Sequence, residues 1–257
     1  MTSETPVGEP VQSATKRSIL AIAVFCLSVA ALAAAALSGV GHARGWWSLD
    51  IAFDILRWSI RSALLAFVLS VIAVLRVRPG SSNLAFALVF TGLLVALGFT
   101  NYALNWRDIA RGVPPIHDIT TDLDNPPAFV DVVPLRENAP NTHIHQGAEL
   151  AARQRDGYPD LGPLELSVRP SDAFALALDA ARTLGWKIVA LDEAEGRIEA
   201  TDTTFWFGFK DDIVVRIAAH TGGAKIDVRS VSRVGVSDVG ANARRITRFL
   251  ELVERER

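Results

Sequence analysis

From Ser18 to Val40 the chain runs 23 residues without a charged side chain, directly after Lys16 and Arg17. A helix rises about 1.5 Å per residue, so this run covers the roughly 30 Å hydrocarbon core of a bilayer. No other single feature restricts the chain as much, because lipid admits only structures whose backbone polar groups are satisfied internally. Gly41-His42-Ala43 could serve as the processing site of a secretory leader. The apolar region of such a leader spans only about 7–15 residues, so the longer run reads as an uncleaved anchor.

Two further segments follow the same logic. Leu84 to Trp106 is uncharged and of spanning length, and Ser62 to Leu75 becomes a span when extended back through Arg61 and Trp58 and forward to Val77. Arginines at such ends reach the interface along their aliphatic stems, so Arg57 and Arg61 read as interfacial residues in preference to a relay path. Trp46, Trp47, Trp58 and Trp106 all fall at segment edges, where an amphipathic indole prefers the headgroup layer. Three helices are therefore expected at about 18–40, 58–77 and 84–106, after a tail at 1–17. Basic residues flank both sides almost equally. The short N-terminus and the tight Arg76-Val77-Arg78 turn favour an N-terminus inside, which places the C-terminal half outside the cytoplasm of an inner membrane.

The rest of the chain is different in kind. Up to Gly112 there are nine Lys and Arg against five acids, whereas Val113 to Arg257 carries seventeen against twenty-three. So acidic a half is a poor partner for nucleic acid, which demands a basic stripe. The only cysteine, Cys26, lies in the first apolar segment, so the second half has neither disulfide nor thiolate chemistry. Residues 113–162 hold Pro114, Pro115, Pro126, Pro127, Pro134, Pro140 and Pro159 and read as an extended connector leading into a proline-shaped strap. Within it His143 and His145 share one side of an extended chain, but without a third fixed ligand they do not define a metal site.

Residues 163–257 predict a soluble α+β domain: an antiparallel sheet of four to five strands with two helices on one face. Leu164 to Val168 alternates as a half-buried strand, and Ser171 can cap a helix closed by Gly185. Turn signals at Asp192 to Gly196, Lys210 to Asp212 and Thr221 to Gly223 then cut four strands joined too tightly to cross a sheet. Ser237 or Asp238 can cap a last helix with Val239, Ala243, Ile246, Leu250 and Val253 on one stripe, and Arg244, Arg245, Arg248 and Glu251 opposite.

The segment TDTTFWFGFKDD, Thr201 to Asp212, concentrates four aromatic rings in five positions. Read as a strand, it sends Phe205, Phe207 and Phe209 to one face, the helix-covered core, and Trp206, Gly208 and Lys210 to the other together with Asp202. The uncovered face then offers an apolar groove rimmed by Thr201, Thr203, Lys210, Arg216, Arg229 and Arg233, with Asp202 and Trp206 in it, for a lipid-like or protein ligand. A further reading brings the Phe-Gly-Phe tip of a hairpin against the bilayer. The alternative is a hydrolase-like enzyme using Asp202 with His143 or His145. No nucleophile elbow, zinc-protease helix or phosphate loop is present, so no catalytic residue, metal or cofactor is assigned.

DNPPAFV (Asp124 to Val130), YPDLGPL (Tyr158 to Leu164), ATDTTFWFGFKDDIVVRI (Ala200 to Ile217) and DVRSVSRVGVSDVGANARRI (Asp227 to Ile246) together resemble the bacterial family catalogued as domain of unknown function 1499. The resemblance covers about Asp122 to Leu252. The family has no established activity, so it carries no catalytic residue over. It implies that Asp202, Thr203, Trp206, Lys210, Asp211, Asp212, Arg229, Ser230, Ser232, Arg233, Asp238 and Asn242 match the family's pattern. The expected function is a multi-pass membrane protein whose extracytoplasmic module binds an apolar ligand or an envelope protein.

Overall fold

The computed structural model describes residues 9–76 and 83–256, with only the backbone over 9–18. The Arg76-Val77-Arg78 turn of the orientation argument and most of the N-terminal tail lie outside the described residues. The chain forms two compact units, 1–108 and 109–257.

The first unit is three helices, α1 (Glu9–Ala43), α2 (Leu49–Arg76) and α3 (Asn83–Arg111), each long and apolar enough to cross a membrane. Their buried positions are mostly small, Phe99 excepted, and recur in alternating steps of three and four: Ala21, Val24, Ser28, Ala31, Ala35 and Ser38 in α1, and Ala85, Val89, Gly92, Ala96 and Phe99 in α3. α2 contributes Ser59, Ala63, Ala66, Ser70 and Ala73 at the same spacing. Such a seam averages 3.5 residues and suits helices that pack closely in lipid, where small side chains let backbones approach. A Cβ added to Gly92 would stand 3.2 Å from the Phe25 Cα, so α1 and α3 meet backbone to backbone there. Helix α2 begins at Leu49, ahead of the expected Trp58. Asp54 therefore belongs to it and pairs with Arg57, while Arg61 lies over the Trp58 ring at 4.9 Å.

The second unit is an antiparallel sheet of six strands: β1 (Asp118–Thr120), β2 (Leu164–Leu166), β3 (Lys187–Asp192), β4 (Arg197–Thr203), β5 (Lys210–His220) and β6 (Gly223–Ser232). The order is β1-β6-β5-β4-β3, with β2 lying on the same edge of β6 as β1. β1 and β2 meet β6 end to end, β1 at Arg229 to Val231 and β2 at Ala224 to Ile226. Helices α5 (Pro170–Thr183) and α6 (Ala241–Arg255) cover one face. α5 starts on Pro170 at its first turn, with Arg169 as the capping position, so Ser171 lies inside the helix and is not its cap. Proline suits that place because the amide it lacks would have no intrahelical acceptor. Period two sends Ile198, Ala200, Ile213, Val215, Ile226 and Val228 to this face, where they meet Phe174, Ile246 and Phe249. Trp186 stacks on Phe249 at 5.0 Å. Phe249 is the fully buried aromatic of α6, and the predicted Leu250 packs partly buried against the same core.

The opposite face is not open. Residues 121–145 cross it, dropping Phe129 and Val132 onto Val214 and Val231. The segment includes a one-turn 3-10 helix (Val133–Arg136), and α4 (Ala148–Gly157) follows it. The segment predicted as a connector is thus a third layer, because its prolines prevent regular structure without preventing burial. It also closes the sheet edge: the Gln154 amide, fully buried on α4, donates to the Thr120 carbonyl at 2.6 Å and accepts the Thr120 amide at 2.9 Å. At Thr120 a side chain takes the place of the missing neighbour strand.

Candidate functional site

The strap-covered face holds the arginines expected to rim a groove, and each is engaged. Arg229 forms a two-pronged pair with the Asp118 carboxylate at 2.9 and 2.8 Å and donates to the carbonyls of Pro127 and His143. Arg216 joins Asp122 and Asp227 at 2.9 and 2.8 Å. Asp212, fully buried, takes Arg233 at 2.8 Å on each oxygen, Arg136 at 2.5 Å and the Thr201 hydroxyl at 2.7 Å. Glu199, also fully buried, accepts the Val130 and Val132 amides at 2.7 and 2.8 Å and pairs with Arg197. The groove expected on this face is therefore filled. Its rim residues Thr201, Arg216, Arg229 and Arg233 bind the strap or a partner that does.

Arg136 and Glu199 were not singled out from the sequence, and Arg245 was expected on a solvent face. A signal existed: Arg197, Glu199, Asp212, Arg216, Asp227 and Arg229 share one parity of the strands. Charges so arranged suit water equally well, and only the complementary Asp118, Asp122, Asp131 and Arg136 of the proline-rich segment distinguish a covered face from a wet one.

Burial alone would push the Asp212 carboxyl up, but the hydrogen bonds from Arg233, Thr201 and Arg136 and the charge of Arg233 together hold it below the usual carboxylate value. A carboxyl depressed by folding contributes stability above its unfolded value and loses it as pH falls through the folded one. Asp122 is lowered too, by the Asn125 amide and Lys225 against its burial. Asp238 has the opposite sign: burial raises it, with Asp211 adding to the shift, and its contribution shrinks as pH rises. Two pairs against one half-buried cap predict stability that declines below about pH 4. Urea titrations at stepwise lower pH measure it, and Asp212→Asn is expected to flatten the decline.

On the helix face, Arg245 lies inward with its side chain 7% exposed, where a solvent-facing arginine was expected. It joins Asp202 at 2.9 Å, Asp211 at 2.6 Å and the Ser230 hydroxyl at 3.1 Å, and contacts the Asn242 carbonyl oxygen. Asn242 in turn donates to the His117 carbonyl and the Ser232 hydroxyl. Asp238 accepts the amides of Gly240 and Asn242 at 2.7 and 2.8 Å, so its carboxylate caps α6 although Gly240 occupies the capping position. Asp202 thus faces α6, while His143 gives its carbonyl to Arg229 on the other face. His145 feels Asp118 and Arg229 on that same side, and burial lowers its imidazole. The hydrolase pairing of Asp202 with either histidine is ruled out by the sheet between them. Among the described residues no three metal-ligating side chains come together.

The aromatic segment is not a strand. β4 ends at Thr203 and β5 begins at Lys210, so 204–209 form the hairpin turn, ahead of the predicted Lys210 to Asp212. Thr204 organises it: its amide donates to the Phe209 carbonyl at 2.8 Å, its carbonyl accepts the Gly208 amide at 3.0 Å, and its hydroxyl accepts the Phe209 amide at 2.9 Å. Gly208 sits at φ 68°, which a side chain would resist. The turn breaks period two and scatters the rings. Phe207 is buried and stacks on half-buried Phe209 at 5.1 Å, Trp206 meets Phe207 edge-on at 4.8 Å, and Phe205 is 99% exposed. Thr203 and Lys210, at the strand ends, are exposed as well.

Other exposed apolar residues belong to the same sheet end. Arg233 bonds the carbonyl of Leu135, which is 53% exposed, and His117 approaches the carbonyl of Val236, which is 78% exposed. The protein-family description "Protein of unknown function (DUF1499)" matches residues 118–253. The chain belongs to this family. The DUF1499 match begins on Asp118, the partner of Arg229, and ends on Val253, the last fully buried residue of α6, so the strap is part of the family's folding unit. No curated protein matches the chain.

Proposed function

We propose that this chain is a multi-pass membrane protein that presents its DUF1499 domain outside the cytoplasm as an interaction module. The module engages an apolar or protein component of the envelope, without catalysis of its own, through the β4–β5 hairpin tip. One observation carries the reading: Phe205 stands fully in water at a tip whose remaining rings support one another. Exposed apolar residues gathered at one place mark interaction surfaces more often than single ones do, and Leu135 and Val236 lie exposed at the same end of the sheet. The charged residues that suggested chemistry support the reading from the other side, since they are committed to one another.

The test is photo-crosslinking in native membranes, with a photoreactive phenylalanine analogue at 205 or at Glu195, an exposed residue of the β3–β4 turn. Adducts with lipid or protein at 205 and none at 195 are expected. Equal yields at both positions would overturn the reading. A reporter fused at the C-terminus checks sidedness independently and is expected to be active outside the cytoplasm.

A further inference from the structure

The identity of the tip's partner follows from where the chain enters the sheet. α3 ends at Arg111 and β1 begins at Asp118, leaving six residues between a helix long enough to cross a membrane and the first strand. Fully extended, they reach about 20 Å, at 3.3–3.6 Å each. Asp118 pairs with Val231, and the Ser232 amide donates to the His117 carbonyl, so the chain enters at the end of β6 that leads to Arg233. That end also borders the tip: Asp211 pairs with Ser232, Lys210 accepts the Arg233 amide, and Thr203 pairs with Lys210. Three strand spacings of about 4.8 Å separate β1 from β4. Entry point and tip therefore share one end of the sheet, roughly 15 Å apart.

Charge distinguishes the two ends as well. The near end carries Lys210 and Arg244 exposed, against Glu137 near Leu135, at the end that also holds Phe205 and Val236. The far end carries the β3–β4 turn with Asp192, Glu193 and Glu195. A membrane surface with anionic headgroups attracts the first and repels the second. An exposed phenylalanine with a neighbouring lysine has the chemistry of an interfacial anchor, the ring in the acyl boundary and the ammonium among phosphates.

We propose that the partner of the tip is the bilayer that holds the chain, with Phe205 inserted at the headgroup boundary and Val236 and Lys210 resting on it. This rests on the reading of the tip as the interacting surface, and it assigns that surface to lipid instead of protein. The tethered domain needs no free affinity of its own, because the short connection keeps the tip at high effective concentration over lipid.

The experiment uses the full chain in nanodiscs of phosphatidylcholine and phosphatidylglycerol. In a Cys26→Ser background, Phe205→Cys and, separately, Glu195→Cys carry an environment-sensitive dye. Nitroxide-labelled acyl chains are expected to quench the dye at 205 severalfold more than at 195. Phe205 is fully exposed, so its replacement leaves the fold intact, and retained helix and sheet signals check this. Equal, water-like emission at both positions overturns the lipid assignment. If crosslinking in native membranes then gives protein adducts at 205, the interaction reading stands with a protein partner. If it gives none, both fall.

Discussion

Asp212→Ala is expected to lower the stability of the soluble unit by about 3–5 kcal/mol, the usual consequence of stranding the partner of a buried ion pair. The effect should fall at the upper end, because two guanidiniums are left behind. Arg136 and Arg233 both point at this carboxylate, and their side chains are 2% and 16% exposed. Burial already pulls Arg136 below its ordinary value while Asp212 holds it up, so removing the acid leaves desolvation unopposed. A domain typically has about 5–15 kcal/mol in all, so the loss removes a large share of the total. Urea unfolding of the full chain in detergent, followed by loss of the sheet signal, measures this. An Arg136→Met, Asp212→Leu, Arg233→Met triple variant should recover much of the loss, since matched apolar groups need no partner.

Arg245→Ala is expected to cost about 3–5 kcal/mol as well, and Asp202→Asn only about 0.5–1.5 kcal/mol. The two sit on one ion pair, so the difference tests what the pair is for. Arg245 is buried and is the charged partner of Asp211, whose side chain is 5% exposed, whereas Asp202 is 32% exposed and can turn to water. Removing the arginine strands a buried acid and takes away the side-chain links from α6 to β4 and β5. Removing the aspartate leaves Arg245 with Asp211. Separate urea titrations of the two variants give the comparison, and equal losses would mean that Asp202 is buried more deeply than its exposure indicates.

Much of the architecture was legible. The uncharged runs gave three helices, and the turn signals gave the antiparallel meander, because both rest on local composition and period. Two features were not legible, for different reasons. The TDTTFWFGF segment reads as a strand by β-propensity, yet Thr204 closes a turn with its own hydroxyl and Gly208 supplies the left-handed residue. Local hydrogen bonding won over aromatic propensity, and the face assignments of Trp206 and Asp202 went with it. The strap failed differently: proline density announces irregular backbone, but burial of that backbone depends on Glu199 and Arg229, some seventy to a hundred positions away. Arg245 was placed on a solvent face for a similar reason, since helical period alone does not reveal an acid waiting on the sheet.

The central claim is that residues 121–145 are a structural layer held by buried charges, which closes the expected groove and leaves Phe205 at the tip as the most exposed large apolar side chain among the described residues. Hydrogen exchange of the full chain in nanodiscs addresses it at the Val130 and Val132 amides, which donate to fully buried Glu199. The account predicts that these amides exchange as slowly as those of β5, and that Glu199→Ala releases them without freeing the sheet centre. Exchange at the rate of an open loop in the wild-type chain would contradict it, since a strap that opens freely would return the groove and its arginines to solvent.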